Sequence, residues 1–371
     1  LRPFGPPSPS DRQRASAALF HCIVESKDET EKTQREMHML KVGLLGAGRI
    51  GNVHAKAISS HPGSRLAAVS DVNREAAAKL AAVYGAEARG NEAIIDDKSI
   101  DAVLIATSTS THSDFIEAAT RAGKAVLCEK PVDLSLARAQ ACLKAASATG
   151  RPVMIGFNRR FDPNFAALKA AADKGEIGKT ELLSITSFDP APPPISYVKV
   201  SGGLFRDMMI HDFDIACWIM GATPDQVTAV GTSIVDPEIG KAGDVDTAVV
   251  TLHFGDGRIA VIKNSRRAVY GYDQRIELLG SEGLLAAGNV LESTVSKATS
   301  AGVVSAKPEY FFLERYTRAY DAEWAAFVDA VTNKGSVPVS LADGVNALAV
   351  AEAATRSAKS KATVDLASVL S

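Results

Sequence analysis

Cysteine is scarce in this chain and poorly placed for joint chemistry. Its four cysteines, Cys22, Cys128, Cys142 and Cys217, are scattered over 371 residues with no CxxC pair, and the His21 beside Cys22 has no second cysteine near it. That spacing excludes a zinc ribbon. A chain of this length also buries enough core to do without a disulfide framework. Charge of one sign is missing too: 41 Lys plus Arg face 43 Asp plus Glu, a formal net charge of −2. With no basic excess to neutralise a phosphate backbone, nucleic acid is not an expected partner. No apolar run approaches the roughly 18 to 20 residues of a membrane span, so no membrane is expected either. Global disorder is excluded from the other side, because 46% of the residues are apolar and 23% charged. At roughly 150 residues per domain, the length predicts about two domains. The expectation is a soluble, cytoplasmic, two-domain protein.

The first 38 residues differ from the rest. LRPFGPPSPS is Pro-rich, KDETEKTQRE is a charge run, and His21 interrupts the apolar stretch Ala15 to Val24 between them. Charges follow that stretch where a secretory signal would have a small-residue cleavage site. Residues 1–38 therefore read as a disordered extension.

From Lys41 onward, short apolar runs alternate with alanine-rich helical stretches. KVGLL, RLAAVSD, DAVLIAT, AVLCEK and PVMIGF read as strands, with helices between them such as NREAAAKLAAVYG, closed by Gly85. THSDFIEAATRAG reads as a helix capped by Thr111 or Ser113. Strand, crossover helix and strand, repeated, require a parallel sheet with helices on both faces. This predicts a Rossmann dinucleotide-binding domain over 39–158.

The strand ends carry the chemistry. The turn GAGRIG supplies Gly46, Gly48, Arg49, Ile50 and Gly51 directly after a strand and at the opening of a helix. Glycines permit the tight turn and close approach, and a helix N-terminus offers free N–H groups to a pyrophosphate. Asp71 ends the second strand, where a carboxylate accepts ribose hydroxyls and repels a 2′-phosphate. Its other reading is a cap for the helix from Asn73. NAD is the expected cofactor. Thr107 ends the third strand run and contributes mainly backbone, while His112 is either a cofactor-side residue or a helix-start histidine.

After Phe157 the alternation stops. A helix over about Pro163 to Ala172, the strand TELLSITSF and a Pro-rich loop lead to one long helical stretch, SGGLFRDMMIHDFDIACWIMG. Then VTAVGTSIV, TAVVTLHF, RIAVIKNSRR and QRIELLG follow with turns and no long helices, which predicts a largely antiparallel sheet covered on one face. The tail returns to helix from about Tyr316. The fold class is α/β, with an N-terminal NAD(P)-binding Rossmann domain and a C-terminal α+β domain over 159–371 built on an open sheet.

KVGLLGAGRIG, DAVLIATSTSTH, VLCEKP and SGGLFRDMMIHDFD together resemble the Gfo/Idh/MocA oxidoreductases, over about residues 39 to 371. The resemblance implies that Glu129 and Lys130 of EKP sit at the nicotinamide, that Lys130 also reaches substrate, and that the Lys130–Pro131 bond is cis. It implies an acid–base pair in Asp207 and His211, and a further pocket residue in Asp214. Asn158 and Arg159 of GFNRR and Tyr270 would line the substrate side. It also implies dimers or tetramers formed through the open sheet. The implied reaction is NAD-dependent oxidation of a small cyclic polyol, myo-inositol foremost, to its 2-keto product. Between Phe188 and Ser201 the correspondence fails, and no substrate contact is assigned there.

Asp207, His211, Asp214 and Trp218 are spaced four, three and four residues apart, so in one helix they share a face. Histidine takes a proton near neutral pH, and a carboxylate one turn earlier would orient it. The bland alternative makes Asp207 a cap and Asp214 a solvated residue. A metal is not expected: no second histidine is near, and hydride transfer needs none when a base is present. Two other readings stay open. One is a dehydrogenase of another inositol isomer or an aldose, and the other is a nicotinamide-binding sensor without turnover.

Overall fold

A computed structural model describes residues 39–371; the extension read over 1–38 lies outside the described residues. Six parallel strands form the first sheet: β1 (Leu40–Leu45), β2 (Ser64–Ser70), β3 (Glu87–Ala88), β4 (Ala102–Ile105), β5 (Ala125–Glu129) and β6 (Val153–Gly156). Their order is β3-β2-β1-β4-β5-β6. Every residue of β4, β5 and β6 is buried, as strands covered by helices on both faces must be. The helix Arg74–Tyr84 starts at Asn73, whose side chain accepts from Glu75 N and Ala76 N, and stops at Gly85 with φ 66°. The cap expected for the helix His112–Arg121 is absent. Thr111 Oγ1 instead lies 2.8 Å from Ser108 O and 2.7 Å from Thr107 Oγ1.

The second sheet has seven strands in the order β12-β11-β7-β10-β9-β8-β15. These are β7 (Thr180–Phe188), β8 (Gln226–Thr232), β9 (Thr247–His253), β10 (Ile259–Ser265), β11 (Asp273–Gly280), β12 (Gly283–Ala287) and β15 (Val364–Asp365). Only β7 and β10 run parallel; the other neighbours are antiparallel. Burial alternates along β9 and β10, so one face meets the helices Ile210–Met220 and Leu341–Ser360 and the other is open. A separate ribbon of β13 (Ser296–Thr299) and β14 (Gly302–Ser305) follows.

The C-terminal helices join the two halves. Trp324, Phe327, Val345 and Leu348 belong to the core of the first sheet, while Tyr320, Val350 and Ala354 belong to that of the second. Trp324 Nε1 donates to Ser64 Oγ at 2.8 Å, tying the helix Thr317–Thr332 to the start of β2. Burying a side chain such as Phe327 contributes about 1.5–3 kcal/mol, so this contact fixes the cleft between the sheets.

The long helix expected over 201–221 is two pieces, Leu204–Asp207 and Ile210–Met220, preceded by a helix Ile195–Ser201. Gly202 and Gly203, with φ 88° and 85°, separate that helix from the first piece. The break between the two pieces is one of hydrogen bonding. Met209 N bonds Leu204 O, and His211 N bonds Met208 O. In a continuous helix His211 N would reach Asp207 O, which this register leaves free.

Candidate active site

The glycine turn is shaped for a ligand. Gly46 has φ +105°, and a Cβ there would stand 2.3 Å from Ala106 O; a Cβ on Gly51 would stand 2.0 Å from Gly46 O. Any side chain would push the turn off the sheet or away from its helix. Gly48 faces open space and caps the helix Arg49–Ser60 with no side-chain hydrogen bond, so the first N–H groups of that helix remain available to an anion. Asp71 ties the turn to β2: its two oxygens accept from Ala47 N and Asn73 N, each at 2.7 Å. The cap reading does not hold, because Asn73 caps that helix with its own side chain, while each Asp71 oxygen keeps a lone pair free. These residues fit a dinucleotide. Arg49 is exposed beside the Phe311 ring, and Ile50 packs on the second core. Thr107 is half-buried at the end of β4.

At the end of β5 the Lys130–Pro131 bond is cis, and Lys130 reaches across the cleft. Its Nζ donates to the freed carbonyl of Asp207 at 2.8 Å and lies 3.8 Å from Asp207 Oδ1. The broken helix therefore builds the site, because the hydrogen bond missing at Asp207 is supplied by the lysine. Glu129 is turned inward rather than to the cleft. Its Oε1 pairs with His54 Nε2 at 2.7 Å, and its Oε2 accepts from Lys130 N at 3.3 Å. Its side chain thus supports Lys130 from beneath. His112 opens the helix His112–Arg121, the second of its two readings. It is 1% exposed, with Nδ1 2.8 Å from Pro131 O and Nε2 3.1 Å from Thr107 O, so it staples the ends of β4 and β5. Burial lowers its pKa and favours the neutral ring, in which only one of those nitrogens donates.

His211 stands at the start of the helix Ile210–Met220, partly exposed and edge-on to Phe157 at 6.0 Å. Burial, then the charges of Lys130 and Arg159, hold it well below the usual imidazole range. Its Nδ1 has no hydrogen-bond partner among the described residues. The expected relay from Asp207 to this ring is not what the structure builds. Asp207 Oδ1 accepts from Tyr197 Oη at 2.8 Å, and Oδ2 lies 3.5 Å from Arg266.

The single polar face also fails at Asp214. Its carboxylate is buried and takes Arg160 in a fork, at 2.6 and 2.8 Å. Two positions earlier, Asp212 pairs with Arg159 at 2.6 Å and accepts from Asn264 at 2.8 Å. The two arginines of GFNRR thus pin the short helix Asn158–Phe161 to the helix Ile210–Met220 through two buried ion pairs. Removing one partner of such a pair typically costs about 3–5 kcal/mol. Arg159 is further engaged by Ser187 at 3.0 Å and Tyr272 at 3.3 Å, which leaves Asp214 and Arg159 as framework rather than free pocket groups. Asn158 is buried beside them. Tyr270 is 45% exposed and donates to Asp273 at 2.6 Å; the inward tyrosine of VYGYD is Tyr272.

Asp189, at the end of β7, was not singled out. It is half-buried, and burial pushes its carboxyl up to about 6 against the opposing charges of Arg266 and Arg159. It lies in the stretch where the sequence correspondence failed. Its place just past a strand end was the only signal.

A glycine turn at a helix N-terminus, an acid closing the next strand, and a strand-end lysine carried onto a second domain define a two-domain nicotinamide-dependent oxidoreductase. The chain belongs to the Gfo/Idh/MocA family: residues 40–157 match its oxidoreductase model, described as an NAD-binding Rossmann fold, and residues 165–286 match the GFO/IDH/MocA C-terminal domain. It is an NAD-dependent oxidoreductase. It is 49% identical over 328 residues to inositol 2-dehydrogenase of Rhizobium meliloti, covering 88% of this chain and 99% of that one. It is 45% identical to myo-inositol 2-dehydrogenase of Thermotoga maritima, covering 89% and 100%. Among solved structures it superposes with TM-score 0.83 on scyllo-inositol dehydrogenase of Lactobacillus casei with bound NAD(H) and scyllo-inositol, at 29% identity, covering 89% and 99%.

Proposed function

We propose that this enzyme oxidises myo-inositol at C2 to 2-keto-myo-inositol (scyllo-inosose), with NAD⁺ becoming NADH and one proton released. The observation that carries this reading is the Lys130 bridge to Asp207 O at 2.8 Å, which sets one ammonium beside one neutral imidazole at the mouth of the dinucleotide turn. NAD⁺, when bound, supplies the acceptor for the hydride leaving the carbinol carbon. His211 takes the hydroxyl proton: its lowered pKa keeps it neutral near pH 7, and its partly exposed edge passes the proton to solvent. Lys130 donates to the same oxygen and lowers the cost of its developing charge. Asp207 holds Lys130 in place. Asn158 and Asp189 are the residues we assign to the other ring hydroxyls.

A second reading, another inositol isomer, is favoured by the likeness to the Lactobacillus casei enzyme. Reduction of NAD⁺ with myo-inositol, scyllo-inositol and glucose in parallel separates the readings; activity on glucose alone would reject the substrate class. His211→Ala should lower kcat by about 10²–10⁴ while the calorimetric Kd for NAD⁺ holds. Near-normal turnover in that variant or in Lys130→Ala would reject the mechanism. We also assign the open face of the second sheet to self-association, which the expectation of dimers or tetramers requires.

A further inference from the structure

Asp207 closes a four-residue helix that is held at both ends. At its start, Leu204 N donates to both oxygens of Asp244, at 3.0 and 3.1 Å. Gly203 allows this approach, since a Cβ there would meet Asp244 Oδ1 at 2.7 Å. At its end, Lys130 takes the Asp207 carbonyl. Arg266, 2% exposed, joins the two ends, with NH2 3.5 Å from Asp207 Oδ2 and 3.9 Å from Asp244 Oδ2. One donor on Asp207 comes from elsewhere. Tyr197, on the helix Ile195–Ser201 beyond the Pro-rich loop, is 46% exposed and donates to Oδ1 at 2.8 Å.

Oδ1 is the carboxylate oxygen that faces Lys130 Nζ, at 3.8 Å, beyond the carbonyl the lysine already holds. Were it free to turn, it would close that gap into a direct ion pair, and the ammonium would lose the freedom to meet a substrate oxygen. We propose that Tyr197 is a positioning residue that holds Asp207 Oδ1 while Arg266 holds Oδ2, fixing the carboxylate and so keeping Lys130 available to substrate. Its phenol remains a donor throughout, because burial and the Asp207 charge push its ionisation upward.

This inference rests on the catalytic reading of Lys130 and Asp207 above. Tyr197→Phe should lower kcat for myo-inositol about tenfold, the scale of one hydrogen bond to a charged group. KM for inositol, the calorimetric Kd for NAD⁺ and Tm should stay within twofold or a degree of the unmodified enzyme. A kcat within twofold of normal would overturn the proposal. So would a fall in kcat accompanied by a matching rise in KM or a lowered Tm, which would mark the hydroxyl as merely structural. Asp207→Asn is measured alongside. Unimpaired turnover there would remove the catalytic reading itself, whereas a severe loss there with a normal Tyr197→Phe would overturn only this inference. If another polyol proves the better substrate, the same comparison is made with it.

Discussion

Asp71 makes the residue-scale argument most directly, because one carboxylate serves two purposes. It fastens the glycine turn by accepting from Ala47 N and Asn73 N, and we assign to it the negative charge that would repel a 2′-phosphate. Asp71→Ser should therefore raise KM for NAD⁺ about tenfold or more and bring NADP⁺ into use. If the unmodified enzyme already reduced NADP⁺ faster than NAD⁺, this account of Asp71 would be wrong. Residues of this kind were legible in the sequence because their partners are a few positions or one strand away. Asp214 was not. Its spacing from His211 suggested the pocket, but its charge is answered by Arg160, 54 positions back in the chain. Tyr270 and Tyr272 both precede β11, and only the distant contacts of Tyr272, to Glu309 O at 3.0 Å and Arg159 at 3.3 Å, show that it is the one turned inward.

At the scale of elements, the strands and the Gly85 stop followed local pattern, whereas the cap expected at Thr111 or Ser113 and the decisive break at Met208–Met209 did not. Nothing in RDMMIHDFD opposes a continuous helix; tertiary contacts at Lys130, Tyr197 and Asp244 override it. The helix Thr317–Thr332 hides a similar surprise. Glu323 is fully buried on the same helix as Trp324, and neither of its oxygens has a partner among the described residues. Burial first, and the nearby Glu129 charge second, raise its pKa well above the usual range, so it stays protonated in the fold. An unfolded glutamate ionises above about pH 4.3. As pH rises past that value the unfolded state gains and the folded state does not, so this residue lowers stability progressively toward neutral pH. Glu323→Gln cannot ionise. Thermal melts should therefore show the variant gaining on the unmodified protein between pH 5 and pH 8. A difference that stays constant or shrinks over that range would contradict a buried protonated acid.

At the scale of the whole molecule, the described residues leave one face of the second sheet uncovered. Strand register sets Leu284, Leu279, Leu182 and Ile259 side by side across β12, β11, β7 and β10, at 55%, 39%, 40% and 36% exposure. Val230 and Val249 form a second exposed pair on β8 and β9. The alternation that buries Leu183, Leu278 and Ala260 beneath the helices places these residues outward. A contiguous apolar row of this kind marks an interaction surface, because soluble monomers seldom leave large ones in water. The ribbon β13–β14 points the same way. All eight of its strand residues are exposed, and a lone two-stranded ribbon is marginal in water. A second copy of the chain answers both needs, since an isologous sheet-to-sheet contact buries the same row twice. Light scattering at micromolar concentration should give at least a dimer. The double substitution Leu182→Glu and Leu279→Glu should shift it toward monomer, because paired acids on that row would face their own copies. The catalytic cleft lies on the other side of the sheet, so kcat per chain should change little. A monomeric unmodified protein would end the assembly argument and leave the fold and the site untouched.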